Sequence, residues 1–414
     1  MKIVAVEDMH ADGGWRVMSF LKVTTDAGIV GWSEYHEGMA GPGLTMTIRI
    51  LAAGLIGRDP RDVGPIAARL YANRRMSEGG IAQQAIAAIV NACLDIKGKA
   101  AGLPVYALLG GAQRTRLPVY WSHCGSYRIR HAAVFESENA VPPIRSLDDI
   151  VALGREVRER GYRALKTNIL LFDAQAPYQY RPGFSGDAGG PELNLDDRML
   201  AQLVDLMSAF RQGAGGETGL LLDLNFNFRP EGVRRIARTM ERFGLTWLET
   251  DFYNPGQLAT IRQSTSTPIG SLEAIYGAKN FQSYLQANAV DVAIVDVQWQ
   301  GMPEAMKLAQ LADINDVNVA AHSAHGFLST LMGAHMCAAI PNFRILELDV
   351  DEVPWFDQMY TAIPVIEDGC YVMPDGAGWG CDVVEEELLR RPPLKTWGSE
   401  PWMLDYHRAK GALR

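Results

Sequence analysis

Gly219-Leu220-Leu221-Leu222-Asp223 is an apolar run, short enough for one buried strand, that closes on an acid. The pattern returns at Thr246-Trp247-Leu248-Glu249, Pro268-Ile269-Gly270-Ser271-Leu272-Glu273, Val292-Ala293-Ile294-Val295-Asp296, Val317-Asn318-Val319-Ala320-Ala321-His322 and Arg344-Ile345-Leu346-Glu347. The terminal polar residues follow one another at intervals of 26, 24, 23, 26 and 25 residues. Each interval has the length of one strand plus one helix. A helix upstream is clear: Leu195, Met199, Leu203, Leu206 and Phe210 share a face, Asn194 is the expected N-cap, and Asp196 and Asp197 suit its first turn. With Leu117-Pro118-Val119-Tyr120-Trp121 and Ala164-Leu165-Lys166 added, the count reaches eight strands. Strands alternating with helices imply a parallel sheet, and eight such units close a (β/α)8 barrel.

Upstream the grammar differs. Trp15 to Val23 is rich in strand formers, Asp26-Ala27-Gly28 is a turn, and Ile29 to Trp32 returns as a strand, so residues 1–35 read as a hairpin. From Leu44 the pattern is helical, with Ile81, Ala85, Ile89 and Cys93 on one face, until Gly102-Leu103-Pro104 ends it. A chain of 414 residues is long for one compact domain, and an α+β block preceding a barrel accounts for the length.

The net charge of −9, with no basic stripe, argues against a nucleic-acid partner. No apolar run is long enough for a membrane span. The five cysteines form no CxxC pair and read as reduced thiols of a cytoplasmic protein. Acids within the first eight residues argue against a signal peptide.

On a closed barrel, the C-terminal strand ends share one mouth. Asp223, Glu249, Glu273, Asp296, His322 and Glu347 are therefore expected to meet there. Carboxylates gathered in one desolvated place need a cation to remain ionised together. An all-oxygen set suits Mg²⁺ better than zinc, and Asp223, Glu249 and Glu273, on consecutive strands, are the expected ligands. Asn225 supports that set or touches substrate. Asp296 beside His322 fixes an imidazole tautomer and makes a general base. Lys166 stands opposite as a fixed charge, and Glu347 donates a hydrogen bond if protonated or accepts one. Taken singly, Asp296 is expected to be only a helix cap and Lys166 a partner of a ligand carboxylate. Six polar ends in phase with the strand repeat favour function over those readings.

At these residues the sequence resembles the enolase superfamily, in its mandelate racemase-like subgroup. Ala92 to Tyr106 and Leu108-Leu109-Gly110-Gly111 look like the end of that family's capping domain. Asp223-Leu224-Asn225, Glu249 and Glu273 match its metal triad. Asp296 with Trp299-Gln300-Gly301-Met302, Ala321-His322-Ser323 and Leu346-Glu347-Leu348-Asp349 match its sixth, seventh and eighth strand motifs. Met373 to Gly380 resembles its C-terminal closing motif. The resemblance implies a modified, enolase-like TIM barrel at 116–360, an α+β capping domain at 1–115, and a C-terminal segment at 361–414 that packs back on the cap. It also implies Mg²⁺, a base that removes the proton next to a substrate carboxylate, and a homo-oligomer.

The second strand of the family often carries Lys-x-Lys, with the second Lys a base on the opposite face. Here the segment is Lys166-Thr167-Asn168, and Asn168 cannot take a proton. One-base chemistry follows: abstraction by Asp296–His322 and loss of a β-hydroxyl, the reaction of an acid-sugar dehydratase that yields a 2-keto-3-deoxy acid. A racemase, epimerase or cycloisomerase, and a non-catalytic ligand-binding barrel, are the alternatives. In this family capping loops select the substrate. His10, Trp15, Glu34, Tyr35 and His36 lie in or beside the first loop, Asn168, Asn225 and His325 line the mouth, and Tyr178, Tyr180 and Arg181 lie in the long loop 173–192. Arg181 suits the far carboxylate of a diacid, and whether the sugar acid is a mono- or a diacid stays open.

Overall fold

The computed structural model describes residues 1–38, 41–172, 174–182, 193–395 and 400–412. Three antiparallel strands open the chain: β1 (Ile3–Asp12), β2 (Val17–Thr25) and β3 (Val30–Tyr35). The expected hairpin is β2–β3. Strand β1 is an addition, masked in the sequence because Glu7 and Asp8 interrupt its apolar alternation. Arg49 accommodates Asp8, donating from Nε and Nη2 to its two oxygens at 2.6 and 2.8 Å. Helices Leu44–Ala52, Val63–Ala72 and Gly80–Ala101 complete this capping domain. Gly102 stops the last helix in a left-handed conformation, φ 66°. That helix is buried on most sides because it lies between sheet and barrel. Ser33 donates to Ala88 O on one side, and Asn91 donates to Val297 O on the other.

Eight parallel strands follow: β4 (Arg116–Ser122), β5 (Ala164–Thr167), β6 (Gly219–Asp223), β7 (Trp247–Glu249), β8 (Ile269–Ser271), β9 (Val292–Val295), β10 (Asn318–Ala321) and β11 (Phe343–Asp349). Each pairs with the next, and β11 pairs with β4, so the barrel closes as expected. The helix before β6 spans Asp197–Ala214 and is capped by Asp196, whose carboxylate accepts Met199 N at 2.6 Å. Asn194 is therefore not the cap; the acid two residues later lies within reach of the free N–H. In the long loop after β5, Tyr178–Gln179 folds back to pair with Leu170–Leu171, and residues 173 and 183–192 lie outside the described residues.

Strand alternation sets the barrel interior. Tyr120, Ala164, Leu221, Trp247, Val292, Ala320 and Ile345 form one buried cluster with a residue from each of seven strands. Strand β8 contributes Gly270, and the Trp247 indole fills the space beside it: a Cβ there would lie 2.4 Å from the ring. Two residues further along β5, β6, β7, β10 and β11, on the same face, come Lys166, Asp223, Glu249, His322 and Glu347. The polar ends are in phase because they are the next inward layer above this floor.

Beyond β11, Cys370–Val372 pairs antiparallel with β4, and the chain then returns to the cap. Trp379 N donates to Asp95 and its indole to Trp32 O, both at 2.9 Å. No helix among the described residues is long and apolar enough to cross a membrane.

Candidate active site

The floor supports the first charged layer. Tyr120 and Trp247 meet edge to face at 5.7 Å, and Lys166 Nζ lies 5.6 Å from the Tyr120 ring centre. Lys166 Nζ sits 2.8 Å from Glu249 Oε1 and 2.8 Å from Glu347 Oε1. Burial opposes the ammonium charge, but the two carboxylates raise its pKa well above the usual lysine range. Glu347 also accepts from Ser122 Oγ and from Ser323 N. Burial works against its charge too, yet Lys166 and His322 hold it well below the usual carboxylate range. With every neighbour donating, Glu347 is an acceptor, and the proton-donor role expected as one option does not fit.

Above Lys166 lie the acids. Asp223 accepts from Asn225 N at 2.7 Å, Asn225 Nδ2 at 3.0 Å and Asn168 Nδ2 at 3.2 Å. Asn168 is itself oriented by Ser126, which donates to its Oδ1 at 2.8 Å. Glu249 lies beside Asp223 in the β6–β7 register, and its second oxygen accepts from Trp247 Nε1 at 2.8 Å. Glu273 Oε2 is 3.3 Å from His322 Nε2. Plain alternation from Gly270 would send Leu272, not Glu273, into the mouth. Leu272 takes φ 95° and packs in the main core, which turns Glu273 toward His322. His123, Asn225 and Phe228 also have positive φ just past strand ends, so strain collects around this mouth.

Asp251 is a fourth buried acid that sequence reasoning missed. It stands two residues after Glu249 as Asn225 does after Asp223, and that spacing was the available signal. Burial, with the charges of Glu249 and Asp223, pushes its pKa up to about 7. Burial and Asp223 likewise raise Glu249 against the pull of Lys166. Asp223, Glu249, Asp251 and Glu273 together form an all-oxygen donor set, the kind that fits Mg²⁺. The three expected ligands do not themselves converge tightly, because Glu249 turns to Lys166 and Glu273 to His322. The closest His and acid grouping among the described residues is Asp296, His322 and His325, with ligand atoms all within 4.8 Å.

In that grouping Asp296 is hydrogen-bonded to His322, and His325 stands just beyond hydrogen-bond distance of it. Asp296 Oδ2 is 2.7 Å from His322 Nδ1 and 3.6 Å from His325 Nε2. Asp296 Oδ1 accepts from Gln298 N and Trp299 N, capping the helix Val297–Gln300. Burial opposes ionisation of Asp296, but both histidines hold its pKa down to about 2. Burial likewise disfavours the His322 imidazolium, and Glu273 and Asp296 raise its pKa well above the usual value. Trp299 packs against His322 at 4.9 Å between ring centres, and its Nε1, like His325 Nε2, is buried with no hydrogen-bond partner.

The capping candidates divide by strand face. Glu34 faces the barrel, so Tyr35 next to it faces away. Tyr35, Ser19 and His10 stand opposite one another in register, and His10 Nδ1 bonds Ser19 Oγ while the Tyr35 hydroxyl bonds Thr45. His10 and Tyr35 thus make their contacts inside the cap. Trp15 packs on Tyr127, His131 and Phe135 over the loop after β4. Burial, with the charges of Arg130 and Arg181, lowers the pKa of His131, and the His36 and His325 rings lie tilted at 5.3 Å between centres. Arg16, absent from the expected set, is the buried cation that joins this loop to the barrel.

Comparison with known proteins agrees with this architecture. Residues 149–387 match the enolase C-terminal domain-like family, and residues 13–110 match the mandelate racemase / muconate lactonizing enzyme N-terminal domain. A Burkholderia xenovorans LB400 structure, provisionally assigned as an L-alanine-DL-glutamate epimerase and bound to magnesium and fumarate, is 43% identical, covers 99% of both chains and superposes with a TM-score of 0.92. The D-xylonate dehydratase of Haloferax volcanii is 28% identical over 95% of this chain and 90% of its own length. A D-mannonate dehydratase of a Sphingomonas species is 27% identical over 88% of this chain and 89% of its own. With both domain families matched in order around a closed barrel, the chain belongs to the mandelate racemase and muconate lactonizing enzyme family of the enolase superfamily.

Proposed function

We propose that this protein is a Mg²⁺-dependent acid-sugar dehydratase of the cytoplasm, a lyase that removes the α-proton of a sugar acid and expels its β-hydroxyl as water. The observation that carries this reading is asymmetry. One side of the mouth holds the Asp296–His322 pair. The other holds Lys166, locked between two carboxylates, and Asn168, which is occupied with Asp223. With Glu273 engaged by a metal, His322 Nε2 would lose the anion that holds it protonated and would be able to take a proton, whereas Lys166 keeps Glu347 as its partner and stays charged. Dehydratase-named relatives over nine-tenths of the chain support the same reading.

Asp223, Glu249 and Glu273, with Asp251 beside them, would hold the metal. When bound, Mg²⁺ supplies Lewis-acid stabilisation for charge that builds on the substrate carboxylate. Asp296 keeps the Nδ1 proton of His322 in place, which leaves Nε2 to take the α-proton. The electron pair of the broken C–H bond forms the Cα–Cβ double bond as the β-hydroxyl departs. His322 returns its proton to that oxygen, so one water leaves, and the enol becomes the 2-keto-3-deoxy acid. Lys166 stays protonated throughout and balances Glu249 and Glu347.

The provisional assignment of the Burkholderia structure favours a second reading, epimerisation with Lys166 as the second base. A panel of mono- and diacid sugars incubated with Mg²⁺ in deuterated water separates the two. The dehydratase forms 2-keto product; solvent deuterium at C2 with the β-hydroxyl retained would establish the epimerase. His322→Asn is expected to abolish turnover with metal binding intact, and Glu249→Gln to weaken Mg²⁺ binding by calorimetry.

A further inference from the structure

The segment between His322 and the helix Phe327–Ala339 is held from outside the barrel. Arg16, at the tip of the β1–β2 loop, donates from Nη1 to Ala324 O at 3.3 Å and from Nη2 to His325 O at 3.2 Å. Glu34, on β3, accepts from Gly326 N at 2.6 Å and from Ser329 N at 3.1 Å. Two capping residues thus bind four backbone groups between residues 324 and 329, a cation on two loop carbonyls and a carboxylate on one loop amide and one amide of the first helical turn. Each is fully suited to its partner: Glu34 sits at the start of the helix, where free N–H groups collect, and Arg16 offers a planar fork.

Packing reinforces the clamp. A Cβ at Gly326 would lie 2.7 Å from the Glu34 carboxylate and 2.6 Å from Met18 of the cap. Gly14, with φ 92°, brings the β1–β2 loop so close to Val353 that a Cβ would lie 2.4 Å from it. Arg16 also pairs with Asp349 Oδ2 at 3.3 Å and with Glu352, both in the stretch that ends and follows β11. The tip of the cap is therefore tied to the loop that follows His322 and to the end of the neighbouring strand β11. On the barrel side, Trp299 packs on the His322 ring and Asp296 and Glu273 stand at its two nitrogens, and a shift of the 324–326 backbone would move that ring against both acids.

We infer that Arg16 and Glu34 are positioning residues for His322: docking of the capping loop sets the backbone of residues 324–329 and so makes the base competent. This inference rests on the proposed proton abstraction for its catalytic consequence, while the clamp itself does not. A misplacement of a base by about 1 Å costs on the order of 100-fold in rate.

The test uses full-length Arg16→Lys and Glu34→Gln, each compared with wild type in three measurements. Hydrogen exchange by mass spectrometry is expected to rise about tenfold in the peptide spanning residues 322–330 and to stay unchanged in peptides from β6 and β7. With a substrate found by the acid-sugar panel, kcat for α-proton exchange is expected to fall about 100-fold while KM moves little, and Arg16→Ala is expected to be worse than Arg16→Lys. A thermal melt reports whether either variant is globally unfolded, and Arg16→Lys, which keeps the charge, is the variant that remains interpretable if Glu34→Gln is not. Unchanged exchange at 322–330 in both variants would overturn the clamp. Faster exchange there with wild-type kcat would overturn its role in catalysis. Should wild type exchange no α-proton with any acid, the proposed reaction fails, and the hydrogen-exchange result still decides the clamp.

Discussion

Asp296 gives one carboxylate oxygen to His322 Nδ1 at 2.7 Å and the other to the N-terminus of the helix Val297–Gln300. Capping a helix and holding the imidazole, alternatives when only the sequence is read, are performed by the two oxygens of one side chain. The cap fixes where the carboxylate points, and the carboxylate fixes the tautomer of the imidazole.

Asp296→Asn separates these roles. Asparagine caps a helix nearly as well as aspartate, so stability should change by less than about 1 kcal/mol. The imidazolium loses its counter-charge, and α-proton exchange should fall about 100- to 10,000-fold. Thermal melts alongside deuterium wash-in check both halves. A large loss of stability would mean that the carboxylate charge, not the cap, holds this loop.

Lys166 is a buried cation between two buried carboxylates. Lys166→Met should destabilise the fold by about 3–5 kcal/mol, because Glu249 and Glu347 are left facing each other without compensation. Urea denaturation measures it. Added Mg²⁺ should recover part of the loss if Glu249 belongs to the metal site, since a ligand that binds only the folded state stabilises it.

Much of this site was legible because strand alternation is strict. Lys166, Asp223, Glu249, His322 and Glu347 each stand two residues beyond a floor residue, and a regular repeat exposes that layer. What stayed hidden depends on tertiary contact. Asp251 carries only the spacing that parallels Asn225, and its burial among the other acids appears once the strands are in place. Arg16 draws no attention in the sequence, and Glu34, expected there among the residues of the substrate-selecting loop, is seen to hold backbone amides only once the cap is placed on the barrel. The assignment of His10 and Tyr35 to the mouth failed on the side of a strand they face, which their position next to a loop does not reveal. Glu273 fell in the right place for a reason the repeat does not contain, the left-handed turn at Leu272.

Glu34 makes stability depend on pH. Burial pushes its carboxyl up to about 7 from 4.5, despite the amides of Gly326 and Ser329 and the charge of Arg16. The folded state therefore holds a proton that the unfolded state releases across this interval. Its contribution is fully present below about pH 4.5 and is lost as pH rises through 7, by at most about 3 kcal/mol. Urea midpoints at pH 5.5 and 8 should show the slope, and Glu34→Gln should flatten it. An equal slope in the variant would assign the titration to another group.

Gly270 is where the barrel floor meets the acids above it. The Trp247 indole lies against its α-carbon, and a Cβ would stand 2.4 Å from Cδ1 and 2.7 Å from Nε1. Backbone geometry does not demand glycine here, since Gly270 has no positive φ, so the constraint is space alone. Gly270→Ala must push the indole aside in a packed interior, which costs about 1–3 kcal/mol. The same movement withdraws Nε1 from Glu249 Oε2, now at 2.8 Å, and frees that carboxylate from its alignment with Asp223. Mg²⁺ affinity should therefore weaken about tenfold, in the range seen when a group that orients a ligand is removed. Trp247→Phe makes the comparison clean, because it removes the N–H donor while leaving most of the ring. If calorimetry shows weaker binding in both variants but a lower melting temperature mainly in Gly270→Ala, Trp247 aligns the ligand and Gly270 makes room for it. Wild-type affinity in both would mean that Lys166 alone orients Glu249.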